Sequence, residues 1–372
     1  MEEKILRKIE ELSEEMLETV CRMVQIDSVK GAPAPHAPYG TGVKAALDAA
    51  LALAERMGLR AVNIDDRIGY AGYGTGAQYV CAIGHLDVVP VGVGWKYPPF
   101  GGVREDGMIY GRGVLDNKGP IFACLYALYA LKELGISLGH EVRVIFGCDE
   151  ESGFSDLRYY LEREAPPVMG FTPDCKYPVV YAERGRARFR LQPDSTEGVC
   201  RLLNEYVLNA RGGERFPLHF SDEEFGTLEI HNFKLINGEP PALECAASYP
   251  AGCTAEEMRQ TLQKEIPWLT VTLLDDMKPV RFPKNCTLVD TLRQVYERVT
   301  GMDGTPVTTT GGTYAKLMPH IVPFGPSFPG QKGIGHQPNE WIRVDDLILN
   351  AKIYALSLYH LAKDGRQNEI VG

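Results

Sequence analysis

The sequence predicts an α/β fold, in which a mixed, mostly parallel sheet covered by helices carries a small inserted α+β domain. Three observations lead there. Short apolar runs alternate with helical stretches through the first half, the middle reads β-α-β-β-α-β, and the first pattern resumes from about Leu288. At 372 residues the chain exceeds one ordinary core, so a domain with an insertion is the expected solution.

The elements follow in order. Ile5, Ile9, Leu12, Met16 and Val20 recur at helical spacing in a Glu-rich N-terminus, the pattern of an amphipathic surface helix. Gly42 to Met57 reads as a helix closed by Gly58. Gln78 to Gly84 is a short apolar run, hence a buried strand, and it delivers His85 at its C-terminal end. Pro120 to Leu134 is a helix closed by Gly135, and Glu141 to Phe146 a strand that delivers Asp149, Glu150 and Glu151. Strands that alternate with helices imply a mostly parallel sheet, whose ligands bind beyond the strands' carboxyl ends.

From about Arg188 the spacing predicts a strand to Gln192, a helix from Glu197 to Asn209, and strands Thr227 to Leu235 and Leu243 to Tyr249 joined by a turn at Asn237-Gly238. A capping box, Thr254 with Glu257, opens the next helix, and Leu269 to Leu274 is the last strand. The order is that of a ferredoxin-like unit. The expected boundaries are 1–187 and 277–372 for the two parts of the main domain and 188–276 for the insertion.

Composition excludes several classes. The formal net charge of −10 argues against nucleic-acid binding, which needs a basic face. No stretch approaches the roughly 18 apolar residues of a membrane span, and the acidic first helix is not a signal peptide. Nine cysteines, an odd number without CxxC pairs, read as reduced thiols in a cytoplasmic protein.

Candidate chemistry sits at the strand ends and in Gly/Pro-rich loops. His85-Leu86-Asp87 sets an imidazole two residues before a carboxylate able to take its other ring N–H. Asp116 lies in a glycine-rich turn that runs into a helix, and Asp149 to Glu151 are three successive acids, which repel strongly unless cations lie between them. Asp174 and His336 are isolated polar residues in loops. Each also has an ordinary structural reading: a His-x-Asp pair is usually structural, and an acid triplet usually a solvated loop. Cys148 and Cys175 read as small buried thiols rather than soft ligands. His36, His140, His231 and His360 have no supporting context. Gly72 to Gly76 lacks the strand and lysine of a phosphate loop.

In combination these residues carry a resemblance. The run GHLDVVPVGVGWKYPPFGGVREDGMIYGRGVLDNKGP, then FGCDEESG, FTPDCKYPVVYAERG and GGTYAKLMP…FPGQKGIGHQPNE, resemble in order the motifs of the dinuclear-zinc metallopeptidases of family 20. That family includes aminoacylases, carnosinases and bacterial dipeptidases, and the match is to its PepV/Sapep dipeptidase branch, over nearly the whole chain. The resemblance implies a catalytic domain in two parts around an inserted lid or dimerisation-like domain. It implies two divalent metal ions, zinc first with manganese or cobalt as alternatives, bridged by Asp116. His85 and Asp174 would complete one site, Glu151 and His336 the other. Glu150 would be the general base toward a water between the metals, and Asp87 would orient His85. Asp116-Asn117 matches a cis peptide of the family. Asp174, where other branches carry Glu, points to dipeptides. Gly311, Gly312 and Thr313 resemble a loop near the substrate whose backbone N–H groups can hold a carboxylate, with Arg281 a further candidate.

The sequence departs from the family in its insertion, about half the size of the branch's lid. The Gly-x-x-Ala-His segment, whose histidine steadies the developing oxyanion, is missing; His219 and His231 lie in the insertion without that context. The expected function is hydrolysis of the amide bond of dipeptides or short peptides. The alternatives are an N-acyl amino acid amidohydrolase and a metal-binding homologue without catalysis. Expected partners are a small peptide and a second copy of the chain through the insertion, with no nucleic acid and no membrane.

Overall fold

A computed structural model of the protein describes residues 1–363. In chain order the elements that build it are α1 (Glu2–Val24), α2 (Thr41–Arg56), β1 (Arg60–Ile64), β2 (Ile68–Tyr73), β3 (Tyr79–His85), α3 (Lys118–Glu133), β4 (Glu141–Gly147), α4 (Ser155–Leu161) and β5 (Met169–Thr172). Then come β6 (Gly185–Pro193), α5 (Thr196–Leu202), β7 (Glu229–Ile236), β8 (Ala242–Tyr249), α6 (Ala255–Glu265) and β9 (Leu269–Met277). The chain closes with α7 (Thr287–Thr300), β10 (Ile321–Pro323) and α8 (Val344–Ala362). These elements fall into two compact units: residues 1–181, 282–307 and 313–363, and residues 182–281 with 308–312.

In the first unit the strand order is β1-β2-β4-β3-β5-β10. The pairs β4-β3, β3-β5 and β5-β10 are parallel, while β1 and β2 add an antiparallel edge. All seven residues of β3 are buried, as a continuous apolar run in a parallel sheet requires. Parallel pairing sends β3, β4 and β5 out at the same sheet edge, and His85 pairs in register with Gly147. The loops bearing Glu150, Glu151 and Asp174 therefore leave beside His85. The helix expected from Pro120 starts two residues earlier, at Lys118, because proline is tolerated within a first helical turn.

The second unit is an antiparallel sheet in the order β7-β8-β6-β9, with α5 and α6 packed on it, the ferredoxin-like arrangement. The predicted capping box at Thr254 and Glu257 is formed. One local expectation fails. The helix expected to reach Asn209 is α-helical only to Leu202 and continues as a π-helical turn over Leu203–Val207. The connection between β7 and β8, residues 237–241, contains the expected Asn237-Gly238, and Glu239-Pro240 within it is cis.

Among the described residues no helix is long and apolar enough to cross a membrane, and all nine cysteines are free thiols.

Gly84, near the end of β3, tests how closely this edge is packed. A methyl there would stand 2.1 Å from Asn117 Oδ1 and 3.1 Å from the Ile121 side chain. Gly84→Ala should destabilise the protein by about 1–3 kcal/mol, the usual cost of overpacking a core. An unchanged urea midpoint would show that Asn117 yields freely.

Candidate metal centre

At the end of β3, His85 is fully buried. Its Nε2 lies 3.1 Å from Asp116 Oδ1 and 3.7 Å from Asp174 Oδ2. On the other side of Asp116, His336 Nε2 lies 3.0 Å from Asp116 Oδ2 and 2.9 Å from Glu151 Oε1. Two clusters result, His85–Asp116–Asp174 and Asp116–Glu151–His336, each with its donor atoms within 4.8 Å of one another. Asp116 belongs to both and offers one oxygen to each. Imidazole and carboxylate donors in this arrangement suit divalent cations of borderline to hard character.

The electrostatics point the same way. Burial, then Asp174, Glu151 and Asp116, push the carboxyl of Glu150 well above the usual carboxylate range. Asp174 is raised by burial and by Asp116. Hydrogen bonds that His336 donates to Asp116 and Glu151 lift its imidazole to about 10, and in His85 the same kind of contact outweighs burial. Acids crowded this closely need positive charge, which cations at the two clusters would supply.

Asp87 meets His85 and the acidic turn together. The Nδ1 of His85 lies 2.8 Å from the backbone oxygen of Asp87, whereas the Asp87 carboxylate stands 3.5 Å away. That carboxylate instead accepts the backbone N–H groups of Glu150 and Glu151, both at 3.2 Å. Asp87 thus orients His85 through its carbonyl and the acidic turn through its side chain. The acid triplet is also divided. Asp149 is buried and turned toward Lys30, at 2.5 Å, and Ser155, leaving only Glu150 and Glu151 at the site. Neither Cys148 nor Cys175 joins a cluster among the described residues.

Four supporting residues escape sequence reasoning. Asp156 accepts the N–H groups of Cys148 (2.6 Å) and Asp149 (3.1 Å) and the hydroxyl of Tyr314 (2.5 Å). Burial, chiefly, raises its carboxyl to about 6. Glu340 is buried, and its Oε1 accepts from the N–H groups of Leu115 (2.9 Å) and Asp116 (3.1 Å), while its Oε2 meets Arg112 Nη1 at 2.8 Å. The Asp116-Asn117 peptide is cis, and the Asn117 side chain joins the N–H of His85 to the carbonyl of Pro173. Glu340 follows His336 closely enough in sequence to have drawn notice; Asp156, Tyr314 and Arg112 carry no such signal.

The expected substrate contacts are mostly engaged locally. Gly311 N–H donates to Thr309 Oγ1 at 3.3 Å, Thr313 Oγ1 accepts from Ala315 N–H at 3.2 Å, and Arg281 pairs with Glu224 at 3.1 Å. Gly312 is half-buried, and His219 is exposed. His231 sits on β7, its imidazole lowered by burial and Arg186.

Comparison with known proteins agrees with this geometry. The chain is 27% identical to YtjP of Bacillus subtilis (strain 168), over 97% of this chain and 99% of that protein. That alignment runs over 465 positions against 372 residues here, so YtjP carries stretches that this chain lacks. It is 26% identical to the Beta-Ala-Xaa dipeptidase of Lactobacillus delbrueckii subsp. lactis, over 88% and 91% of the two chains. In fold it is similar to human carnosine dipeptidase 1, with a TM-score of 0.72 at 17% identity over 96% of this chain and 99% of that one. It is similar also to an M20 family metallo-carboxypeptidase from Sulfolobus solfataricus, with a TM-score of 0.70 at 16% identity over 93% and 99%. The family model for peptidases M20/M25/M40 matches residues 81–360, and the chain belongs to that family.

Proposed function

We propose that this protein hydrolyses the amide bond of dipeptides, with divalent cations held at the two clusters that share Asp116. The shared carboxylate is the observation that carries the reading: two three-residue donor sets meet at one aspartate, with a carboxyl of raised pKa, Glu150, beside them. Relatives named as dipeptidases support the substrate class.

When bound, a pair of divalent ions lowers the pKa of water and polarises the amide carbonyl. The protein's own groups do the rest. His85 and Asp174 hold one side of Asp116, and Glu151 and His336 the other. Glu150 takes a proton from the attacking water and returns it to the amine nitrogen as the C–N bond breaks, so the proton count closes. Asp87 fixes Glu150 and Glu151 through their backbone N–H groups. Zinc fits the donors best, with manganese or cobalt as substitutes.

Contacts to substrate are assigned to His219, Gly311, Gly312, Thr313 and Arg281, of which exposed His219 is the candidate for the missing oxyanion donor. The reading includes a homodimer through β7, which has a sheet neighbour on one side only, and a cytoplasmic location in keeping with nine free thiols.

Glu150→Gln should lower kcat by about 10²–10⁴-fold with metal content unchanged by elemental analysis; parallel loss of metal would instead make Glu150 a ligand. Asp87→Asn turns one acceptor into a donor facing an N–H, and should weaken metal affinity or activity by roughly 10–100-fold, read by chelator competition. Removal of metal by chelation should abolish turnover of dipeptides, and zinc, manganese or cobalt should restore it. Hydrolysis of N-acetyl amino acids alone would sink the dipeptide reading. His219→Ala should cost about 10²–10³-fold if His219 supplies the oxyanion contact.

A further inference from the structure

Beside the two clusters lies a cavity of ≈ 350 Å³ lined entirely by residues of the first unit. At one end are Asp116 and Asp174, one from the shared position and one from the His85 cluster. The rest of the lining includes Lys176 and Lys332, its only two cations, with Gln331 and a glycine-rich segment ending at Gly335. Among the described residues neither lysine forms an ion pair, although the chain carries 49 acids against 39 Lys and Arg, and in the same unit Lys30 and Arg112 are paired. Gln331 is occupied: its amide donates to Asp346 at 2.7 Å and accepts from the N–H of Phe328 at 2.9 Å.

An uncompensated pair of ammonium groups in the wall of a cavity that opens on the reacting centre has a chemical meaning. The carboxylates at the near end are committed to the clusters, so the lysines face an anion that the protein does not supply. A dipeptide brings one carboxylate at its C-terminus. An acidic side chain brings a second, and two separate lysines match two separate carboxylates as point charges.

We propose that this cavity is a subsite for the carboxylates of an acidic dipeptide, and that Lys332 and Lys176 make the enzyme prefer substrates with an Asp or Glu side chain. The proposal rests on the dipeptide reading above and names its substrate class. Charge-assisted hydrogen bonds at a partly enclosed site give roughly tenfold or more in discrimination. The preference is electrostatic, so it narrows as ionic strength rises.

The experiment compares dipeptides that differ only in charge, such as Ala-Glu with Ala-Gln and Glu-Ala with Gln-Ala, on the metal-loaded full-length protein. For at least one pair, kcat/KM should favour the acid about tenfold. In Lys332→Met and in Lys176→Met that ratio should fall toward one, and Lys332→Arg should restore it. Equal rates for acid and amide in wild type, or a ratio indifferent to both substitutions and to salt, would overturn the proposal. Calorimetric binding of the same pairs to the metal-loaded protein keeps the two readings apart. If no dipeptide is cleaved but the acidic member still binds more tightly through Lys332, the function fails and the subsite stands. If dipeptides are cleaved and the acid binds no better than the amide, the subsite fails and the function stands.

Discussion

Everything at the candidate centre depends on where Asp116 is held, because both clusters use it. Its backbone is fixed from a distant part of the chain. The carboxylate of Glu340 receives the N–H groups of Leu115 and Asp116 with one oxygen and the guanidinium of Arg112 with the other. Arg112 and Glu340 are both buried, and an unpaired charge in that place would be costly. The pair therefore persists as a unit, tying the loop that carries Asp116 to the one that carries His336. Burial and the nearby Asp116 push the Glu340 carboxyl up to about 7, yet two N–H donors and a guanidinium face it.

The acidic turn after β4 is built on the same plan, with carboxylates serving as acceptors for backbone. Asp87 takes the N–H groups of Glu150 and Glu151, and Asp156 those of Cys148 and Asp149. Four consecutive N–H groups are thus turned inward to two buried acids, and the side chains of Glu150 and Glu151 are left for chemistry. The arrangement sets negative charge upon negative charge. Glu150 and Asp174 respond with raised pKa values, and cations at the two clusters reverse the sign of that field. Metal binding and the correct protonation state of the acids are therefore linked.

This division of labour explains what could be read from the chain itself. His85, Glu150 and Glu151 stand at or just beyond the ends of apolar strands of a parallel sheet, and strand periodicity locates such positions without a structure, whereas Asp174 read only as an isolated polar residue in a loop. The order of the second unit was equally plain, since hydrophobic period and capping chemistry are local. Asp156 and Arg112 were not legible, because each acts through contacts that no local pattern announces. Arg112 meets Glu340 across 228 positions, and Tyr314 meets Asp156 across 158. The side chain of Asp87 has a second task that nearness in sequence did not reveal: beside its 3.5 Å approach to His85 it accepts two N–H groups from another strand's end.

The distribution of cations bears on how a substrate's charge is met. A dipeptide must present at least one carboxylate, and the residues first considered for it are already engaged: Arg281 with Glu224, and the N–H of Gly311 with Thr309. Using them would require breaking contacts that exist, with a corresponding loss in affinity. Lys176 and Lys332 need give up no ion pair among the described residues, and they line the cavity that contains Asp116 and Asp174. Relatives such as YtjP carry stretches that this chain lacks. Two lysines without an ion pair in that lining meet a substrate's carboxylates as point charges, and such charge selects for acid rather than for shape.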